Sequence, residues 1–89
     1  MVEPKLDDYY DDEYRELLGL LREARVNVGL TQDDVARRLG KSQSFVSRSE
    51  SGDRRLDVIE LQALLRIYGL DLISFLPRSH ELDNERRNK

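Results

Sequence analysis

The stretch that decides the fold runs from Leu30 to Gly52 and reads LTQDDVARRLGKSQSFVSRSESG. Thr31 carries the short hydroxyl side chain that caps a helix N-terminus. Asp34, three residues on, places an acid in the first turn, where the helix dipole favours one. Val35, Ala36 and Leu39 then fall on one helical face, and Gly40 sits where a left-handed residue ends a helix. This spacing predicts a helix over 32–39. Lys41 and Ser42 complete a short turn, with Ser42 as a second hydroxyl cap, and a further helix is predicted from Gln43 to about Glu50, stopped by Ser51 and Gly52.

Upstream of this stretch, Tyr14, Leu17, Leu18, Leu21, Ala24, Arg25 and Val28 recur at steps of three and four. They predict a longer helix that starts at Asp12 and ends at Gly29. Downstream, the loop Asp53-Arg54-Arg55-Leu56 leads to Asp57, which forms a capping box with Glu60 for a helix over 58–68. Ile59, Leu61, Leu64, Leu65 and Tyr68 give that helix a wide buried stripe. Asp71 can cap a last short helix, 72–76, which Pro77 terminates. The expected fold is therefore all-α with five helices, in one domain over 12–77. Residues 1–11 are expected to form a flexible acidic arm, and 78–89 a charged, solvated tail.

Composition bounds the function. The chain has 89 residues, enough for one modest core and no second domain. It has no cysteine, which rules out disulfides and cysteine-ligated metal. The start, Met1-Val2-Glu3-Pro4, runs into acids rather than into the basic and then apolar order of a secretory signal, and no long apolar run follows, so the chain is expected to be cytoplasmic and not membrane-bound. The net charge of -3 is unevenly spread. Residues 1–20 hold seven acids and two bases, whereas 21–56 hold eight bases and five acids. The basic excess falls on the two central helices and their loop, as a nucleic-acid contact needs.

Two short helices joined through a glycine-containing turn can leave the second free to enter a DNA major groove. Val35, Ala36, Leu39 and Val46 form the inward set of residues. Gln32, Gln43, Ser44, Ser47 and Arg48 form an outward, polar set. For an isolated helix such residues would be a solvated face; their place in the whole pattern points to DNA contact.

At these residues the chain resembles a known family, the lambda-repressor or Cro-like helix-turn-helix domains of the xenobiotic-response-element type. The resemblance covers roughly 12–77 and rests on Thr31-Gln32, Gly40, Ser42-Gln43-Ser44, Val46-Ser47-Arg48, and Glu50 followed by Gly52. It implies roles for matching positions. Gln32 would donate to a phosphate and brace Gln43; Gln43 and Ser44 would reach base edges, with Gln43 suited to the N6/N7 pair of adenine. Ser42 would cap the reading helix at the DNA surface, and Ser47 would share the groove face. Arg48 would contact a guanine or a phosphate, while Arg54 and Arg55 would fasten the backbone. Arg25 and Glu50 match a buried ion pair. Ser49 departs from the pattern, standing where a large apolar residue is usual, and is expected to loosen the packing of the third helix. Asp53 stands where a lysine is frequent.

The functional expectation is a sequence-specific reader of double-stranded DNA and a transcriptional regulator, a repressor rather than an activator. It would act as a homodimer on a palindromic operator, because one such unit makes few base contacts. Leu70, Leu72, Ile73, Phe75 and Leu76 are candidates both for the dimer surface and for closing the core. A competing reading is a protein-interaction module such as an antitoxin, which the acidic arm with Tyr9 and Tyr10 favours. His80 stands alone in the tail, and adjacent acids such as Asp7-Asp8 and Asp11-Asp12 are surface or capping residues. No nucleophile and base set, phosphate loop or metal-ligand spacing is present, so neither enzymatic activity nor a cofactor is expected.

Overall fold

The computed structural model describes residue 3 and residues 5–75. The described residues are all-helical. α1 (Leu6–Tyr9) passes through a π-helical turn (Tyr10–Tyr14) into α2 (Arg15–Asn27), so these three form one helical run. Four helices follow: α3 (Gln32–Leu39), α4 (Gln43–Ser51), α5 (Val58–Ile67) and α6 (Leu72–Phe75). Counting the first run once gives the five helices expected. Among the described residues no helix is long and apolar enough to cross a membrane.

The local chemistry that sets each boundary is visible in the hydrogen bonds. The Thr31 hydroxyl accepts from the Asp34 amide at 3.0 Å, and the Asp34 carboxylate accepts from the Thr31 amide at 2.9 Å. This reciprocal box starts α3 and also holds the Asp34 carboxyl below its ordinary range, the backbone bond from Thr31 being the main cause. Asp57 and Glu60 repeat the arrangement at α5, at 2.8 and 3.0 Å. Gly40 takes φ of +70°, which lets the Lys41 amide fold back to the Ala36 carbonyl at 2.9 Å and the Gly40 amide to the Arg37 carbonyl at 3.3 Å. A side chain there would be strained, so glycine is the residue that permits a turn this short between α3 and α4.

α3 packs chiefly on α4, α4 also on α2, α3 on α5, and α5 on α6. The core they enclose is Leu21, Val35, Ala36, Val46, Leu64, Leu65, Tyr68 and Phe75, with Leu17, Leu39, Leu61 and Leu72 at its edge. Two residues of the expected helical stripes are exposed instead. Val28 follows the last turn of α2 and is 48% exposed, and Ile59, in the first turn of α5, is 68% exposed. Both sit at helix ends, where the curvature of a small domain carries a regular apolar stripe past the edge of the partner helices.

The N-terminal segment also differs from expectation. The residues expected to be a flexible arm are helical from Leu6, with the Asp8 carboxylate accepting from the Lys5 amide at 3.1 Å. Acids there face the positive end of the helix dipole, so they favour a helix start although no apolar period marks one. Leu76, Pro77 and the tail with His80 lie outside the described residues.

Candidate nucleic-acid interface

The N-terminal end of α4 is the exposed corner of the domain. Ser42 caps it, its hydroxyl oxygen accepting from the Phe45 amide at 3.1 Å while its own O–H remains a donor. Gln43 and Ser44 are exposed in the first turn, Ser47 is half-buried one turn on, and Arg48 is exposed beside it. Val46, between them, is buried. A single helix thus places its apolar anchor inward and its four polar candidates outward, at the 3.6-residue period. Among the described residues the Arg48 guanidinium has no partner.

Behind this face runs one continuous polar chain. Arg25 on α2 grips Glu50 on α4 through two bonds, Nε to Oε2 at 2.6 Å and Nη2 to Oε1 at 3.1 Å. Its Nη1 donates to the Leu30 carbonyl at 2.8 Å, which pins the α2–α3 turn to the same guanidinium. The hydrogen bond to Glu50 raises the Arg25 pKa against the opposing effect of burial, so the guanidinium stays charged. The Gln32 amide donates to Glu50 Oε1 at 3.0 Å, and the Gln43 amide donates to Gln32 Oε1 at 2.7 Å. The chain therefore leads from a buried ion pair to the exposed tip of α4.

The loop after α4 is held by contacts that its sequence conceals. Arg54 makes a fork to Glu60, at 2.9 and 2.6 Å, and stacks its guanidinium 4.2 Å from the Phe45 ring centroid. Glu60 is in consequence held below its ordinary pKa, the Arg54 bond being the main cause. Lys41 Nζ lies 5.5 Å from the same ring centroid, so two cations contact the Phe45 ring. Arg55 is exposed and lies 5.1 Å from the Tyr14 ring, whose hydroxyl accepts from the Leu56 amide at 3.0 Å.

The structure thus brings Gln32, Gln43, Ser44, Ser47 and Arg48 to one corner, with Ser42 at its edge. Arg55 stays on the surface, while Arg54 is engaged with α5. Phe45, Tyr14 and Glu60 are positioning residues that sequence reasoning missed. The only signal for Phe45 was an aromatic residue four positions after a lysine, and nothing in the sequence marks Tyr14 as reaching a backbone amide 42 residues away. Ser49 is 1% exposed, and α4 continues past it to Ser51, so the expected loosening does not interrupt the helix; the strain is instead a buried hydroxyl without a partner among the described residues.

Comparison with known proteins agrees with this geometry. Residues 21–75 match the family model described as helix-turn-helix. The chain is also similar to a solved structure described as an XRE-family like protein from Pseudomonas syringae pv. tomato str. DC3000. The two are 45% identical, with a TM-score of 0.73, over 78% of this chain and 84% of that one. No curated protein matches the chain. The matched span takes in α3, the Gly40 turn, α4 and the Arg54–Glu60 clamp, and on these grounds the chain belongs to the XRE-type helix-turn-helix family of DNA-binding regulators.

Proposed function

We propose that this protein is a sequence-specific transcriptional repressor that reads a palindromic operator as a homodimer, with α4 in the major groove. The observation that carries the reading is the exposed face of α4, where Gln43, Ser44, Ser47 and Arg48 stand together over the buried Val46. Gln43 offers adenine the donor and acceptor pair that its N7 and N6 require, Arg48 offers guanine or phosphate a fork, and the serines offer single hydrogen bonds. Gln32, through the N–H that Glu50 does not take, and the O–H of Ser42 meet the adjoining phosphates.

Arg55 supplies a phosphate contact from the following loop. Arg54 contributes differently: its fork is occupied by Glu60, so it shapes the loop. Arg37 is tied to Asp33 and Asp34 on the solvent side of α3 and takes no part in reading.

One unit of this size makes few base contacts, and two-fold pairing would set two reading helices about 34 Å apart, one turn of DNA. Leu70 and Ile73, near the end of the described residues, are exposed apolar residues suited to such pairing, Ile73 at 83%.

Selection of bound duplexes from a random pool tests the proposal. A two-fold symmetric consensus is the expected result. Enrichment of a single asymmetric half-site would remove the dimer, and no enrichment would favour a protein-interaction module in place of a DNA reader.

A further inference from the structure

We infer that Glu50, although it lies behind the surface, decides which base Gln43 prefers, because it sets through Gln32 the direction in which the Gln43 amide faces. The inference rests on the reading of Gln43 as a base contact. Glu50 acts here as a positioning residue.

A carboxylate only accepts hydrogen bonds, and each side-chain amide has a donating end and an accepting end. Glu50 Oε1 lies 3.0 Å from Gln32, so Gln32 must turn its NH2 inward. Its carbonyl oxygen is then turned outward, where it can only accept, and Gln43 meets it with an NH2 at 2.7 Å. Gln43 has spent one N–H inward. It is left presenting one N–H and its carbonyl oxygen, the pair that complements adenine N7 and N6. Guanine presents two acceptors, N7 and O6, and its O6 would face the Gln43 oxygen. The two glutamines therefore have a single shared freedom, their polarity, and the Glu50 charge removes it.

Glu50→Gln reverses this polarity. Of the two Arg25 contacts the shorter is Nε to Oε2, at 2.6 Å, so the new amide keeps its oxygen there, gives up the longer Nη2 bond to Oε1 at 3.1 Å, and places its NH2 where Oε1 was, facing Gln32. Gln32 answers with its carbonyl inward and its NH2 outward. Gln43 then turns its own carbonyl inward and presents two N–H groups to the groove, a donor-only edge that matches guanine.

The experiment measures binding of the full chain to the selected duplex and to the three substitutions at the base pair whose preference Gln43→Ala abolishes. The expected result is adenine at that position for the natural sequence. In Glu50→Gln the adenine-to-guanine ratio should fall by about tenfold, with preferences elsewhere in the site unchanged. Gln32→Met cuts the relay and leaves the ion pair in place; in that background adenine preference relaxes, and adding Glu50→Gln changes it no further. A purely structural role for Glu50 would lower all affinities together and would do so in either background.

An unchanged ratio in Glu50→Gln overturns the inference, as does an equal shift with Gln32→Met present. Should Glu50→Gln lose its helical circular dichroism, Gln32→Met decides alone, and full adenine preference in that variant is the contrary result. If Gln43→Ala leaves every preference intact, Gln43 does not read DNA, and both the reading and the relay fall; if Gln43→Ala succeeds and Glu50→Gln does not shift the ratio, the relay alone falls.

Discussion

Arg25 and Glu50, one on α2 and one on α4, form a two-pronged ion pair with side chains only 11% and 6% exposed. Their pairing fixes the rotation of α4 against α2. Removing one partner leaves a charge with little water and no counter-ion, so Arg25→Ala or Glu50→Ala should cost about 3 kcal/mol or more in denaturant unfolding. Replacing both by apolar residues, as in Arg25→Met with Glu50→Leu, should recover most of that loss. A double variant no more stable than either single one would show that the pair is not the source of the penalty.

Ser49 is the weak point of α4. Its hydroxyl is buried and has no partner among the described residues, so Ser49→Ala removes a desolvated polar group at the expense of a very small volume. The variant should be as stable as the natural sequence or more stable by about 1 kcal/mol, read as a raised thermal midpoint. A drop of that size would mean that the hydroxyl is satisfied in solution.

The two glycines that bound the central helices should respond unequally. Gly40 and Gly52 both take positive φ, at +70° and +92°. A Cβ on Gly40 meets nothing, whereas one on Gly52 comes to 3.4 Å from Leu18 Cδ1. Each alanine variant bears the left-handed strain of about 1 kcal/mol, and Gly52→Ala should lose somewhat more in chemical denaturation. Equal losses would show that Leu18 moves aside freely.

Stability should fall at both ends of the pH scale, for different residues. Folding lowers the Glu60 pKa, mainly through Arg54, and lowers Asp34 and Asp71 through backbone bonds from Thr31 and Ser74. Each group's contribution is full above its unfolded value, near 4, and is lost as the pH falls through the folded value. Tyr68 behaves in the opposite sense: burial pushes it up from 10.0 to about 12, so its contribution is full below 10.0 and lost as the pH rises through about 12. Thermal midpoints measured across pH should show both declines. Glu60→Gln should flatten the acid limb and Tyr68→Phe the alkaline one.

Much of this fold was legible because its boundaries are set by neighbours in sequence. Thr31 with Asp34, Asp57 with Glu60, Ser42 and Gly40 each act within a few residues of themselves, so their types alone mark where helices start and stop. The link between Gln32 and Gln43 was legible only through the family resemblance, since nothing local specifies a bond across a turn. The commitment of Arg54 to Glu60 was hidden for a related reason. Glu60 already had a local role in capping α5, and the sequence does not reveal that the same carboxylate also receives a guanidinium stacked on Phe45. At the N-terminus, acid content read as an arm because it lacks an apolar period, yet a dipole and a capping aspartate support a helix without one.

DNA reading by the exposed face of α4 is decided by the affinity of Gln43→Ala, Arg48→Ala for the selected duplex over a range of salt. The expected result is a variant that is folded by circular dichroism, binds the selected site at least about tenfold more weakly, and no longer separates it from a scrambled duplex. Its logarithmic salt slope should also be shallower if Arg48 meets a phosphate. Undiminished affinity and discrimination in the folded double variant would mean that this face of α4 does not read DNA.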